Sequence, residues 1–235
     1  MTDLVEAFHT ALRLIVTFDP QLIEIVMLSL QVSLLAVLLA GIVGFPLGAA
    51  LAVYRFPGRG LATAALNALM GLPPVVVGLV VYLLLSNAGP LGVLQLLYTP
   101  AAMIIAQTVL VVPIIAALSR QHCEDLFEEY DEHLRSLGAS SREIAATLLW
   151  DGRYRLTTAV LAGFGRAIAE VGAVMIVGGN IDHVTRTMTT AIALETSKGN
   201  IALALALGMV LLATSVAISG ALMGVRRGAR RFAYA

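Results

Sequence analysis

Two ionisable residues, Arg166 and Glu170, stand four positions apart in a stretch that is otherwise apolar or small, LTTAVLAGFGRAIAEVGAVMIVGG (156–179). On a helix that spacing predicts one shared face. A charge at the centre of a membrane-spanning helix costs about 2.5–3.5 kcal/mol on insertion scales, which makes such a residue a functional candidate. Two readings stand side by side. The pair is a mutually neutralised structural element, or it lines a path or gate where Arg166 meets a passing anion. Pro73 and Pro74, inside another apolar run, remove two backbone donors from a helix. They predict either a packing kink or a broken helix beside a substrate path. Gly178, Gly179 and Asn180 close the first stretch. Asn180, with Thr185, Arg186 and Thr187 after it, reads either as a polar turn beyond a glycine stop or as donors for an anion.

Other chemistry is poorly provided for. Ser215 and Ser219 share no membrane depth with a histidine, so no base is available to activate either hydroxyl. His122, Cys123 and His133 lack a dense metal-ligand spacing. No catalytic residue, metal or other cofactor is expected, and no nucleic-acid partner. The single cysteine rules out an intrachain disulfide.

Charge is concentrated elsewhere. Eight of the fifteen acidic residues fall within 120–155. There Leu126, Tyr130, Leu134 and Leu137 recur at spacings of four and three among acidic neighbours, which predicts an amphipathic helix. Gly138 stops it. Ser140 with Glu143 three residues on is a capping-box pattern that starts a second helix, with Ile144 and Leu148 on its apolar side. Apolar stripes of this kind need a surface to pack on: the protein's own helices, another subunit, or both.

The elements that must carry these groups are membrane helices. Only 13% of the 235 residues are charged, against roughly 25% in soluble domains. Uncharged runs such as 61–85 and 201–218 meet the requirement of about 20 apolar residues per span. The expected fold is an all-α integral membrane protein with five transmembrane helices, at about 25–53, 62–85, 100–119, 155–178 and 200–223. Residues 1–20 are expected to form an external amphipathic helix. Asp3 and Glu6, in place of a basic leader, argue against a cleaved signal peptide. Segment 187–198 is too short and polar to span, so a short helix at the surface or dipping inward is expected. Eleven Arg residues, in 55–59, 120–155 and 226–231, fall on one side of a five-span arrangement and three Lys or Arg on the other. The positive-inside rule then sets the N-terminus outside, with loop 120–154 and the basic tail 225–235 in the cytoplasm. A sixth span through residues 4–18 is the competing arrangement.

The charged block resembles the "EAA" loop of ATP-binding-cassette importer permeases: Glu-Ala-Ala, three residues, glycine, nine residues, then Ile-x-Leu-Pro. Here Glu132-His133-Leu134 stands for the triplet, Gly138 keeps its distance, and Leu148, Trp150 and Asp151 replace the tail. The glutamate and its spacing to glycine survive; the alanines and proline do not. GFGRAIAEVGAVMIVGGNI (163–181) and TRTMTTAIALETSKGNIALALALG (185–208) are similar to the closing half of molybdate/tungstate permeases. YRFPGRG (54–60) and GLPPVVVGLVVYLLLSNAGPLG (71–92) are most like the tungstate type. The resemblance spans 22–224 and implies a type I importer permease fold acting as a homodimer in the cytoplasmic (inner) membrane of a prokaryote. It implies two separate ATPase subunits docking at Glu132, Leu134, Gly138, Ala139 and Ser140, and an external tungstate-binding protein. Arg166, Glu170, Pro73, Pro74 and Asn180 would border the translocation path or gate within membrane lipid. No G-x-x-x-x-G-K-[ST] loop occurs, so energy from ATP must come from another chain.

Overall fold

The computed structural model describes residues 2–233; Met1, the last two residues, and the side chains of 2–4, 222 and 225–233 lie outside the description. The expected basic tail is therefore followed only as backbone, to Ala233. Every regular element among the described residues is helical. In chain order they are α1 (Thr2–Val16), α2 (Pro20–Val53), α3 (Arg59–Met70), α4 (Pro74–Leu85), α5 (Pro100–Ser136), α6 (Ser141–Asp151), α7 (Arg153–Ile168), α8 (Gly172–Gly178), α9 (Met188–Ser197) and α10 (Ile201–Ala233). A 3-10 turn at Gly92–Leu94 precedes α5.

Among the described residues three helices are long and apolar enough to cross a membrane: α2, α5 and the Ile201–Ala221 part of α10. The number rises to five if α3 with α4 and α7 with α8 each count as one broken span. The chain divides into two compact units. The first comprises Met1–Leu35, Pro73–Gln107 and Ala167–Ile218, and the second Ala36–Leu72, Thr108–Arg166 and Ser219–Ala235.

In the second unit, α2 packs closely on α5. A side chain on Gly48 would put its Cβ 2.5 Å from the Ala116 carbonyl oxygen, so only glycine permits the approach. Below that contact, Ala49, Ala52 and Val53 of α2 bury against Cys123, Leu126 and Phe127 of α5 and Ile144 and Leu148 of α6. In the first unit, α4 packs on α8, and the Ser29 hydroxyl of α2 accepts the Met188 N–H that opens α9 (2.7 Å). Segment 187–198 is the short helix expected, with Met188, Thr190, Ala191 and Glu195 buried along one side.

Three expectations need correction. The amphipathic helix of the charged block is not separate; it is the end of α5, one continuous 37-residue helix. Pro113 does not break it, because a proline lacking its N–H is tolerated where neighbouring helices pack. Of the two readings of Pro73 and Pro74 a broken helix is what forms, but neither proline stands in mid-helix. The helix is broken ahead of them, Pro73 preceding α4 with extended backbone and Pro74 opening it, the position where a missing N–H costs nothing. Arg166 and Glu170 do not share a continuous helix, because α7 ends at Ile168 and α8 begins at Gly172.

Candidate functional sites: a helix break and a charged hairpin

The break after α7 is held by partners both near and distant in sequence. Gln107, 3% exposed, donates from Nε2 to the Ala167 carbonyl (3.0 Å), one of those that lose an intrahelical partner at a helix end. Thr189 Oγ1 donates to the Glu170 carbonyl (2.7 Å). The buried Glu170 carboxylate accepts the Ala173 N–H at the start of α8 (3.0 Å), where a negative charge is favoured by the helix dipole. Glu170 therefore acts as a cap of α8. Arg166 is half-buried in the last turn of α7.

The far end of α8 is closed by its own turn. Gly179 and Asn180 both adopt left-handed backbone (φ 71° and 50°). Thr185 Oγ1 donates to the Gly178 carbonyl (2.5 Å) and accepts the Ile181 N–H (2.9 Å). Asn180 Nδ2 reaches the Thr190 carbonyl (3.5 Å), and Arg186 pairs with Asp182 (2.6 Å). Most of the donors that the sequence offered for an anion thus have protein partners in the turn or in α9, while the buried Nε of Arg186 has none among the described residues. His183 pairs through Nδ1 with Glu24 (2.7 Å). That carboxylate raises its pKa above the ordinary imidazole value, with Asp182 adding to the effect.

The hairpin is built from local signals. Gly138 sits at φ +80°, a left-handed conformation that side chains resist. The Gly138 and Ala139 N–H groups donate to the Arg135 and Leu134 carbonyls (3.0 and 3.1 Å), closing α5. The capping box is reciprocal: Glu143 N–H donates to Ser140 Oγ (3.4 Å), and Ser140 N–H to Glu143 Oε2 (2.8 Å). The Ser140 hydroxyl, and then its N–H, hold the Glu143 carboxyl below the usual range.

Leu134 and Ala139 lean on the buried cluster, whereas Glu132, Gly138 and Ser140 are exposed. The expected stripe thus continues through Leu126, Tyr130 and Leu134. Leu137, beyond the end of α5, is instead 70% exposed.

One anchor escaped the sequence reading. Arg59 donates from Nε to the Leu51 carbonyl (2.7 Å) and from Nη2 to the Ala52 carbonyl (3.2 Å) at the end of α2. The same Nη2 pairs with Glu124 of α5 (2.7 Å), which also binds Arg120. Arg59 therefore ties the end of α2 and the start of α3 to the root of the hairpin. The only signal was the arginine itself, in a Gly-Arg-Gly turn.

Long and broken apolar helices with a capped, charged hairpin are the features of an integral membrane protein, and comparison gives the family. Residues 44–227 match the family described as the binding-protein-dependent transport system inner membrane component. The chain belongs to that family. Among its relatives, it is 42% identical over 226 residues to the tungstate uptake system permease protein TupB of Peptoclostridium acidaminophilum, covering 96% of this chain and 99% of that one. It is 42% identical over 203 residues to a probable anion ABC transporter permease protein of Haloferax volcanii, covering 84% and 88%. It is 36% identical over 207 residues to TupB of Campylobacter jejuni, covering 88% and 87%.

Proposed function

We propose that the chain is the permease subunit of an ATP-driven tungstate importer. It works as a homodimer of five-span subunits in a prokaryotic cytoplasmic membrane, with the N-terminus outside and the C-terminus inside. It performs no catalysis itself. Two ATPase subunits dock on the paired hairpins, and an external binding protein delivers the anion. The relatives support the substrate, and one structural observation supports the mechanism: α5 runs unbroken from the apolar region to the hairpin. At 1.5 Å per residue its 37 residues reach about 55 Å, and a hydrocarbon core of about 30 Å leaves about 25 Å beyond the membrane. Motion at the hairpin is thereby carried into the bilayer by a rigid rod. The broken helices are the natural place for that motion to open a path, bordered by Pro73, Pro74, Arg166, Glu170 and Asn180.

The test is ATP-dependent tungstate uptake by proteoliposomes containing the chain, the ATPase and the binding protein. Uptake is expected for the wild type. Arg166→Ala should reduce it while ATPase binding stays intact. Undiminished uptake by Arg166→Ala removes that residue from the path. Equal uptake of molybdate widens the substrate to both oxyanions, and uptake of neither overturns the assignment.

A further inference from the structure

At the junction of α6 and α7 lies a cavity of about 310 Å³ lined by Phe45 of α2, Leu149 of α6, and Arg153, Leu156, Thr157 and Val160 of α7. Its walls are apolar; Thr157 donates its hydroxyl to the Tyr154 carbonyl (2.6 Å). Arg153 supplies the charge. Its guanidinium lies 4.6 Å from the Trp150 ring centre and 4.5 Å from that of Tyr154. Among the described residues no carboxylate lies within ion-pair distance of it. Trp150 is 69% exposed.

We propose that this cavity binds an anionic phospholipid of the surrounding membrane, its phosphate on Arg153 and the start of one acyl chain between Phe45, Leu156 and Val160. The inference rests on α7 entering the membrane from the hairpin side. From Arg153 to Val160 is seven residues, or about 10 Å of helix, so the walls follow the upper part of an acyl chain. Trp and Tyr favour the headgroup level, where one edge is wet and the other apolar. A cation between helices at that level is the chemistry that selects anionic headgroups. Stacking, with Nη1 donating to the Trp150 carbonyl (2.6 Å) and Nη2 to the Tyr154 hydroxyl (3.4 Å), fixes the guanidinium. The second N–H on each of these nitrogens and the Nε–H remain for phosphate oxygens.

Trp150 is the only tryptophan of the chain, so its fluorescence reports this site directly. The experiment reconstitutes the full chain, alone and with its ATPase, in bilayers. Bilayers carry phosphatidylglycerol or phosphatidylcholine brominated on the acyl chain, and quenching of Trp150 is read. Preferential quenching by brominated phosphatidylglycerol is expected, by about fivefold in relative affinity. That factor corresponds to the ~1 kcal/mol contributed by one basic residue near an anionic leaflet. Arg153→Gln should bring the ratio close to one and Arg153→Lys should retain most of it. Val160→Phe should lower quenching by both lipids at unchanged helicity.

Equal quenching by the two lipids in the wild type, or an unchanged ratio in Arg153→Gln, overturns the proposal. So does a Trp150 shielded from both lipids, which would assign the surface to the ATPase or a second copy. Since each readout is lipid contact rather than uptake, a chain that transports tungstate normally can still fail it.

Discussion

The hairpin α5–α6 and the broken stretch α7–α8 both interrupt a helix and both gather charge, but their ends are secured in opposite ways. The hairpin is closed by neighbours in sequence: Gly138, the Ser140–Glu143 box and carbonyls three and five residues back. Its interior side is then fastened by apolar packing of Ile144 and Leu148. The break after Ile168 has local bonds at Glu170, but it is also held from afar, by Gln107 sixty residues away and Thr189 nineteen away from their partners. A turn closed by its own residues keeps its shape although its inner side packs on α2 and Arg59 ties its root, as the proposed lever requires. An element whose backbone depends in part on distant side chains is fully held only while those contacts last, as the proposed gate requires.

This contrast can be broken at several points. The largest effect is expected from Gly138→Val. No atom lies within 4 Å of a Cβ built there, so any defect comes from forcing a β-branched residue into left-handed backbone, about 1–3 kcal/mol. The variant should insert normally and lose ATPase binding and uptake, while Gly138→Asn, tolerant of that conformation, retains both. Pull-down of the ATPase from solubilised membranes distinguishes them.

Thr185→Val tests the other region. Thr185 is fully buried, and its loss strands the Gly178 carbonyl and Ile181 N–H at about 1–3 kcal/mol each. A lower thermal midpoint in detergent and faster hydrogen exchange across 178–187 are expected, with ATPase binding unchanged. Loss of ATPase binding instead would erase the distinction between the two regions.

Ser140→Ala should be milder, about 1 kcal/mol and confined to the first turn of α6. Because the Glu143 pKa is lowered, the box contributes above the ordinary carboxylate pKa. That contribution disappears as pH falls through the depressed value. Exchange rates at Glu143 and Ile144, followed down to low pH, read this out.

Smallest of all is the His183–Glu24 pair, since both side chains are well exposed, at 68% and 45%. With His183 raised, its contribution is complete below the usual imidazole pKa near 6.5. It is lost as pH rises through the higher, folded-state value. Turn 179–187 should loosen with rising pH in the wild type but not in Glu24→Gln.

The same contrast explains what could be read from the residues. The capping box, the glycine stop and helix 187–198 were legible because a few adjacent residues dictate them. The continuity of α5 was not, because a change from apolar to charged composition does not itself end a helix. Arg166 and Glu170 looked like one helix face because nothing between them is a breaker. At the break Gln107 and Thr189 bond the Ala167 and Glu170 carbonyls, roles that no local pattern states. Arg59 was visible only as a charge on one side of the membrane, and its grip on the end of α2 required the fold. The resemblance in the hairpin rested on a single spacing, Glu132 to Gly138, and it took the segments 54–60, 71–92, 163–181 and 185–208 to extend it along the chain.

The most direct measurement replaces Glu132 with cysteine and treats membranes containing the assembled importer with a short bifunctional maleimide. The native Cys123 is buried and its thiol is pushed up to about 11 by that burial, so it contributes little background. A cross-link between position 132 and the ATPase, changing in yield with ATP, is the expected result. Membranes that take up tungstate yet yield no such adduct would contradict the hairpin as the coupling element.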